Sequence, residues 1–240
     1  MAGGVESQWS IRVFERFERS VVRLNHGGLF LGTGFVVYWD ESRACLIITC
    51  HHVVSRVPMS EILDAYFSGN TIPSAVRIVR RGNDIKDLAL LWVQRMSSQV
   101  TRPPVVMDFF QHPVAPGWDV VLLGYNVLRN NFILEPSTCS PSTNTHIKYS
   151  CTSTGGMSGS PIVLAGVNKV VGVHFMSSGS TGYAICTQAI REYLEEYLHM
   201  RAAGTLDVSL GMQYERGFCL QRAAGTLDAN LGMQDEGDRR

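Results

Sequence analysis

Between about residues 20 and 186 the chain is a succession of short apolar or alternating runs: SVVRL, LGTGFVVYW, CLIITC, AVRIVR and DLALLWV, then DVVLLGY, FILEP, HIKYS, PIVLAG, KVVGVHF and TGYAICT. Gly, Pro, Asn and Ser fill the gaps. Many short β-branched runs at close spacing, punctuated by turn residues, predict an all-β barrel or sandwich and argue against alternating βα units. The runs form two groups, divided near the polar, proline-bearing stretch QRMSSQVTRPP. That division suits two barrels side by side, at about 18–100 and 113–186. Helical signals bracket them. In SIRVFERFERS, Ser10 is placed to cap a short amphipathic turn. In TQAIREYLEEYLHM, Ile190, Tyr193, Leu194, Tyr197 and Leu198 recur at three- and four-residue spacing, so one face should dock on the barrels. The expected organisation is an N-terminal extension (1–17), a folded domain (18–199) closing in a helix (187–199), and a tail (200–240).

The tail contains a tandem repeat, RAAGTLDVSLGMQ from Arg201 and RAAGTLDANLGMQ from Arg222. Two copies are too few to bury a core of their own, so the segment reads as duplicated and largely disordered, with Cys219 exposed. The alternative is a short motif presented twice to a partner.

Composition narrows the function classes. Hydrophobic residues make up 45% of the 240-residue chain and charged residues 18%, as in ordinary globular proteins. Lys plus Arg and Asp plus Glu both number 21, so nothing suggests electrostatic capture of nucleic acid or an anionic membrane. The local basic run Arg77, Arg80 and Arg81 reads as a solvated loop or strand edge. The opening MAGGVESQWS lacks the pattern of a secretory signal, and no stretch approaches the roughly 18 apolar residues needed to span a membrane. An intracellular, cytoplasmic protein is expected, and its six cysteines are read as reduced thiols rather than a disulfide framework.

Three segments carry chemistry. STGGMSGSPIV places Ser158 between glycines just before an apolar strand. Gly155, Gly156 and Gly159 permit backbone conformations that a β-carbon would forbid, so the amides of Gly156 and Ser158 could both face one oxyanion. The competing reading is a glycine-rich turn with an incidental serine. A serine hydroxyl needs a base, and IITCHHVV offers His51 and His52 at a strand end. Because adjacent strand residues face opposite sides, Cys50, His51 and His52 are expected to be poorly arranged for one metal, leaving a single imidazole as the functional group. A carboxylate to orient that imidazole lies in NDIKDLALLWV, where Asp87 and Asp84 compete and either could simply form a turn.

Taken together these segments resemble the chymotrypsin-like (trypsin-like) serine peptidases, closest to the Deg/HtrA and glutamyl endopeptidase types. The order His, Asp, Ser agrees. Thr49 to His52 matches the family's Thr-x-x-His and selects His52 over His51. Asp87 to Leu91 matches its Asp-Leu-Ala-Leu-Leu and disfavours Asp84, and Gly156 to Pro161 matches its nucleophile motif. A Gly-x-Gly-Phe strand (Gly32 to Phe35) and the closing helix extend the likeness over roughly residues 18 to 199. The resemblance implies two six-stranded antiparallel β-barrels with a C-terminal helix. It implies a serine endopeptidase acting on polypeptide substrates through His52, Asp87 and Ser158, with an oxyanion hole at Gly156 and Ser158, an acyl-enzyme intermediate, and neither cofactor nor metal.

The departures also inform. Where secreted digestive members carry an aspartate that pairs with a new N-terminus, this chain has Met157, so activation by that ion pair is not available to it. Val53 follows His52, which removes the family's flanking disulfide, and no PDZ-like region follows. In the strand VVGVHFMSSGS, His174 stands where glutamyl endopeptidases and viral chymotrypsin-like cysteine proteases carry a histidine that binds a substrate Glu or Gln, with Ser153 at the position of an assisting hydroxyl. That likeness implies preference for Glu or Gln before the cleaved bond, against the simpler reading that His174 merely packs in the barrel. The rival from another class is a catalytically inactive, protease-like module that binds polypeptides without cutting them.

Overall fold

Each apolar run becomes a strand, and the pattern within a run tells how that strand is covered. The computed structural model describes residues 8–83, 85–127, 131–140, 143, 145–151 and 155–202. In the first barrel the strands are β1 (Val21–His26), β2 (Leu29–Trp39), β3 (Cys45–Thr49), β4 (Ile62–Phe67), β5 (Ser74–Arg81) and β6 (Ala89–Val93). The continuous runs CLIIT and ALLWV are buried at every position, as strands covered on both faces must be. By contrast β4 alternates, with Leu63, Ala65 and Phe67 inward and one face towards solvent.

The second barrel holds β7 (Asp119–Asn126), β8 (Asn131–Ser140), β9 (His146–Ser150), β10 (Pro161–Leu164), β11 (Lys169–Ser178) and β12 (Thr181–Cys186). Both sheets close, in the orders β1-β2-β3-β6-β5-β4 and β10-β11-β12-β9-β8-β7, and every pairing between these strands is antiparallel. Read in opposite directions the two rings have the same connectivity. Closure is made by β1 on β4 and by β7 on β10, leaving no open sheet edge along those seams. The architecture is the expected chymotrypsin-like pair of six-stranded barrels followed by a helix.

The segment between the barrels is not a free linker. Met107 N donates to Val36 O of β2, while Phe110 N and Val170 O, then Val170 N and Asp108 O, lace it to β11. The N-terminal helix α1 (Gln8–Phe17) buries Val13 and Phe17, and Phe14 meets Phe132 of β8 edge to face at 5.2 Å. Ser10 lies inside this helix and is buried, so it is not the cap that its position suggested. After β12 the chain enters α3 (Thr187–Ala202), whose Ile190 and Tyr193 are buried as its apolar spacing required. Arg80 corrects another expectation. It lies on β5 rather than in solvent, donating from Nη1 to Tyr193 O at 2.8 Å with its guanidinium 4.3 Å from that ring.

The compact unit containing both barrels ends at Tyr193, and a second begins at Leu194. The repeated tail and Cys219 lie outside the described residues. Among the described residues none of the five cysteines is in a disulfide, and Cys45, Cys50, Cys139 and Cys151 are buried. No described helix is long and apolar enough to cross a membrane.

Candidate active site

His52 is positioned by a change of backbone. Strand β3 stops at Thr49, Cys50 is still extended (φ −78°, ψ 148°), and His51 to Val54 wind into a single helical turn, α2. Asp87 then holds His52 at two points. Its Oδ1 accepts the backbone N–H of His52 at 2.8 Å, and its Oδ2 lies 2.6 Å from ring Nδ1. An ionised carboxylate can only accept, so Nδ1 carries the proton and Nε2 of the neutral ring keeps its lone pair. The His52 side chain is 47% exposed and that of Asp87 only 17%, which leaves the ring open to a substrate while its orienting partner is shielded.

Asp87 itself is aimed by the turn after β5. The Asn83 side chain accepts from the amides of Ile85 and Lys86, Gly82 N donates to Leu88 O at 2.7 Å, and Leu88 is fully buried. Asp84, the competing carboxylate, lies outside the described residues.

The turn bearing Ser158 belongs to the second barrel. Gly156 (φ +100°) and Gly159 (φ +87°) adopt conformations that side chains disfavour, and Ser160 N closes the turn on Met157 O at 3.0 Å. Met157 is buried in the core of the second barrel with Leu122, Tyr149 and Ile162. Apolar burial thus anchors the residue just before Ser158.

Thr33 of β2 grips the same turn with two groups and ties it to β7. Its N–H donates to Ser158 O (2.9 Å), its hydroxyl donates to Gly156 O (3.0 Å), and the same hydroxyl accepts from Tyr125 N (3.0 Å). Thr49 in turn donates to Thr33 O at 2.6 Å, so the strand leading to His52 and the turn bearing Ser158 share one buried residue. The Ser158 hydroxyl makes a long bond, 3.5 Å, to Phe175 O.

His174 lies behind this turn. Its carbonyl accepts from Gly159 N (2.8 Å) and from the Cys50 thiol (3.2 Å), and its amide donates to Ser160 O (2.8 Å). The ring is buried, with Nδ1 2.5 Å from the Tyr149 hydroxyl. Burial, reinforced by the charge of His52, lowers its pKa to about 4, while a hydrogen bond to the Tyr183 backbone works the other way. The ring is therefore neutral at physiological pH. Burial also holds the Tyr149 phenol well above its ordinary range, so it stays protonated. Ser153, expected to supply an assisting hydroxyl beside His174, lies outside the described residues.

Thr33 and Tyr149 were not identified from the sequence. The flanking glycines of Gly-x-Gly-Phe announce a close approach at Thr33, and a tyrosine at an inward position of β9 announces a buried hydroxyl in need of a partner. Neither signal names what is approached. The strand alternation expected of Cys50, His51 and His52 does not hold, because His51–Val54 form a helical turn. His51 is not part of the cluster that the fold makes, in which the donor atoms of Cys50, His52 and Asp87 all lie within 4.8 Å of one another.

Residues 32–173 match the trypsin-like peptidase domain family. Among solved structures, the chain is similar to the Rv3671c protease of M. tuberculosis. The inactive form is 23% identical with TM-score 0.61, covering 82% of this chain and 98% of that one. The active form is 22% identical with TM-score 0.63, covering 81% and 87%. The serine endoprotease from Yersinia pestis is 18% identical with TM-score 0.64, covering 79% of this chain and 66% of that one. No curated protein sequence matches.

Proposed function

The chain belongs to the trypsin-like peptidase family, and from that membership we propose that it is a serine endopeptidase whose triad is His52, Asp87 and Ser158. The observation that carries this reading is the two-point hold of Asp87 on His52, which leaves Nε2 as a base. Ser158 attacks the peptide carbonyl as Nε2 takes its proton, Asp87 stabilises the imidazolium, and the Gly156 and Ser158 amides stabilise the oxyanion. The amine leaves with the proton from His52, and water hydrolyses the acyl-enzyme. Before attack, the Ser158 hydroxyl exchanges its long bond to Phe175 for one to His52, a tightening that substrate binding commonly brings.

A fluorophosphonate probe tests this directly, since it reacts with serines activated by a neighbouring base. Mass spectrometry is expected to place the adduct on Ser158, with labelling lost in Ser158→Ala and in His52→Ala. Folded protein that takes no label would overturn the reading in favour of a module that binds polypeptides without cutting them.

For specificity, β11 forms a wall of the primary pocket, and His174, with Ser153, selects Glu or Gln before the cleaved bond. The neutrality of His174 supports recognition by hydrogen bonding rather than by an ion pair. In a peptide library, cleavage is expected after Glu or Gln, and His174→Ala should reduce that preference about tenfold, the worth of one well-made hydrogen bond. Cleavage after Arg or aromatic residues instead would reject the pocket assignment.

A further inference from the structure

Beneath the His52–Asp87 pair lies a group for which the peptidase mechanism has no use. Cys50 is fully buried, and its thiol is one of three donors, with a ring nitrogen of His52 and a carboxylate oxygen of Asp87, that lie within 4.8 Å of one another. One sulfur, one imidazole nitrogen and one carboxylate oxygen form a donor set that suits a thiophilic divalent cation. We propose that Cys50 Sγ, His52 Nδ1 and Asp87 form an inhibitory site for Zn²⁺ or its softer analogue Cd²⁺, which switches the peptidase off.

Binding requires the donors, which lie within 4.8 Å of one another, to adjust to the separations of a tetrahedral site. Tetrahedral coordination at the usual zinc distances separates neighbouring nitrogen and oxygen donors by about 3.4 Å, so the 2.6 Å His52–Asp87 contact would widen by somewhat under 1 Å. His52 is half-exposed, Asp87 is more shielded and Cys50 is fully buried, so the sulfur would form the floor of the site and a water would complete the coordination. The proton balance explains the inhibition. Binding releases the Cys50 thiol proton to solvent and moves the His52 ring proton from Nδ1 to Nε2, because Nδ1 now donates its lone pair to the metal. With Nε2 protonated, the ring cannot accept the Ser158 proton, and Asp87 no longer faces it. The thiol also gives up its hydrogen bond to His174 O. The inhibition, though not the binding, rests on the peptidase reading.

The test titrates the full chain with CdCl₂ and follows two signals, the ultraviolet thiolate-to-cadmium charge-transfer band and fluorophosphonate labelling of Ser158. Wild type is expected to develop the band and to lose labelling over the same concentration range. In Cys50→Ser, which keeps a hydroxyl donor for His174 O, the band should fall by about one thiolate. Half-inhibition should then require at least about tenfold more cadmium, since even removing an outer-shell partner commonly costs that much affinity. Cys50→Ala serves in the same role if the serine variant does not fold, and His52→Ala should weaken the band through loss of the nitrogen donor. An equal band in wild type and the Cys50 variants would overturn the site. A Cys50-dependent band with unchanged labelling would overturn the switch. If the metal-free protein takes no label at all, the peptidase reading fails, while the band still decides the site.

Discussion

Replacing Asp87 with Asn is expected to lower kcat by about 10⁴-fold without unfolding the protein. The side-chain amide keeps an oxygen to accept the His52 backbone N–H, so the α2 turn is preserved. Its NH₂ then faces Nδ1, where the carboxylate now accepts at 2.6 Å. A donor there selects the tautomer with the proton on Nε2, and that nitrogen can no longer deprotonate Ser158. Steady-state turnover of a cleaved peptide, with circular dichroism as the check on folding, reads the effect. A loss of less than tenfold in folded protein would remove Asp87 from the mechanism. Asp87→Ala differs in kind, since it also strips the cap from the amide of His52 and should perturb the turn.

Gly159→Ala should cost stability and activity together. A β-carbon at that residue would overlap the Thr33 carbonyl oxygen and the Thr49 hydroxyl, and the backbone sits at φ +87°. Left-handed backbone costs a non-glycine residue about 1–2 kcal/mol, and overpacking adds about 1–3 kcal/mol. Thr33 cannot move aside cheaply, because its amide and hydroxyl hold the carbonyls of Ser158 and Gly156. The expected sum is about 3 kcal/mol, or a Tm lower by roughly 6–12 °C in a domain of this size. Fluorophosphonate labelling should fall with it. Gly155→Ala is the control, since its β-carbon meets only a Val127 methyl at 3.3 Å. A Gly159→Ala protein as stable and as reactive as the Gly155→Ala protein would disprove the claim that this contact sets the turn.

Eleven apolar runs, their alternation or continuity, and the polar break near residue 100 were sufficient to anticipate two groups of strands, because the period of a run states which of its faces must be buried, while the β4 run Ile62–Phe67 was not singled out. The glycine turn around Ser158 was legible for a related reason. Glycines on both sides of Ser158 have few uses other than a backbone that side chains cannot adopt, and two of them do stand at positive φ. The His52 and Asp87 segments were legible through resemblance, and the structure brings those two side chains together.

The sequence left open what stands opposite each inward residue. Thr33 reaches Gly156 across 123 positions, Cys50 reaches His174 across 124, and Arg80 reaches Tyr193 across 113. Such partners are chosen by barrel closure and by the docking of one barrel on the other. A periodic pattern records the direction of a side chain, whereas its hydrogen-bond partner depends on the register of strands far apart in the chain. For the same reason the helical turn at His51 could not be foreseen from a run of β-branched residues. The carboxylate that caps its His52 amide comes from the loop before β6, and only the tertiary fold delivers it.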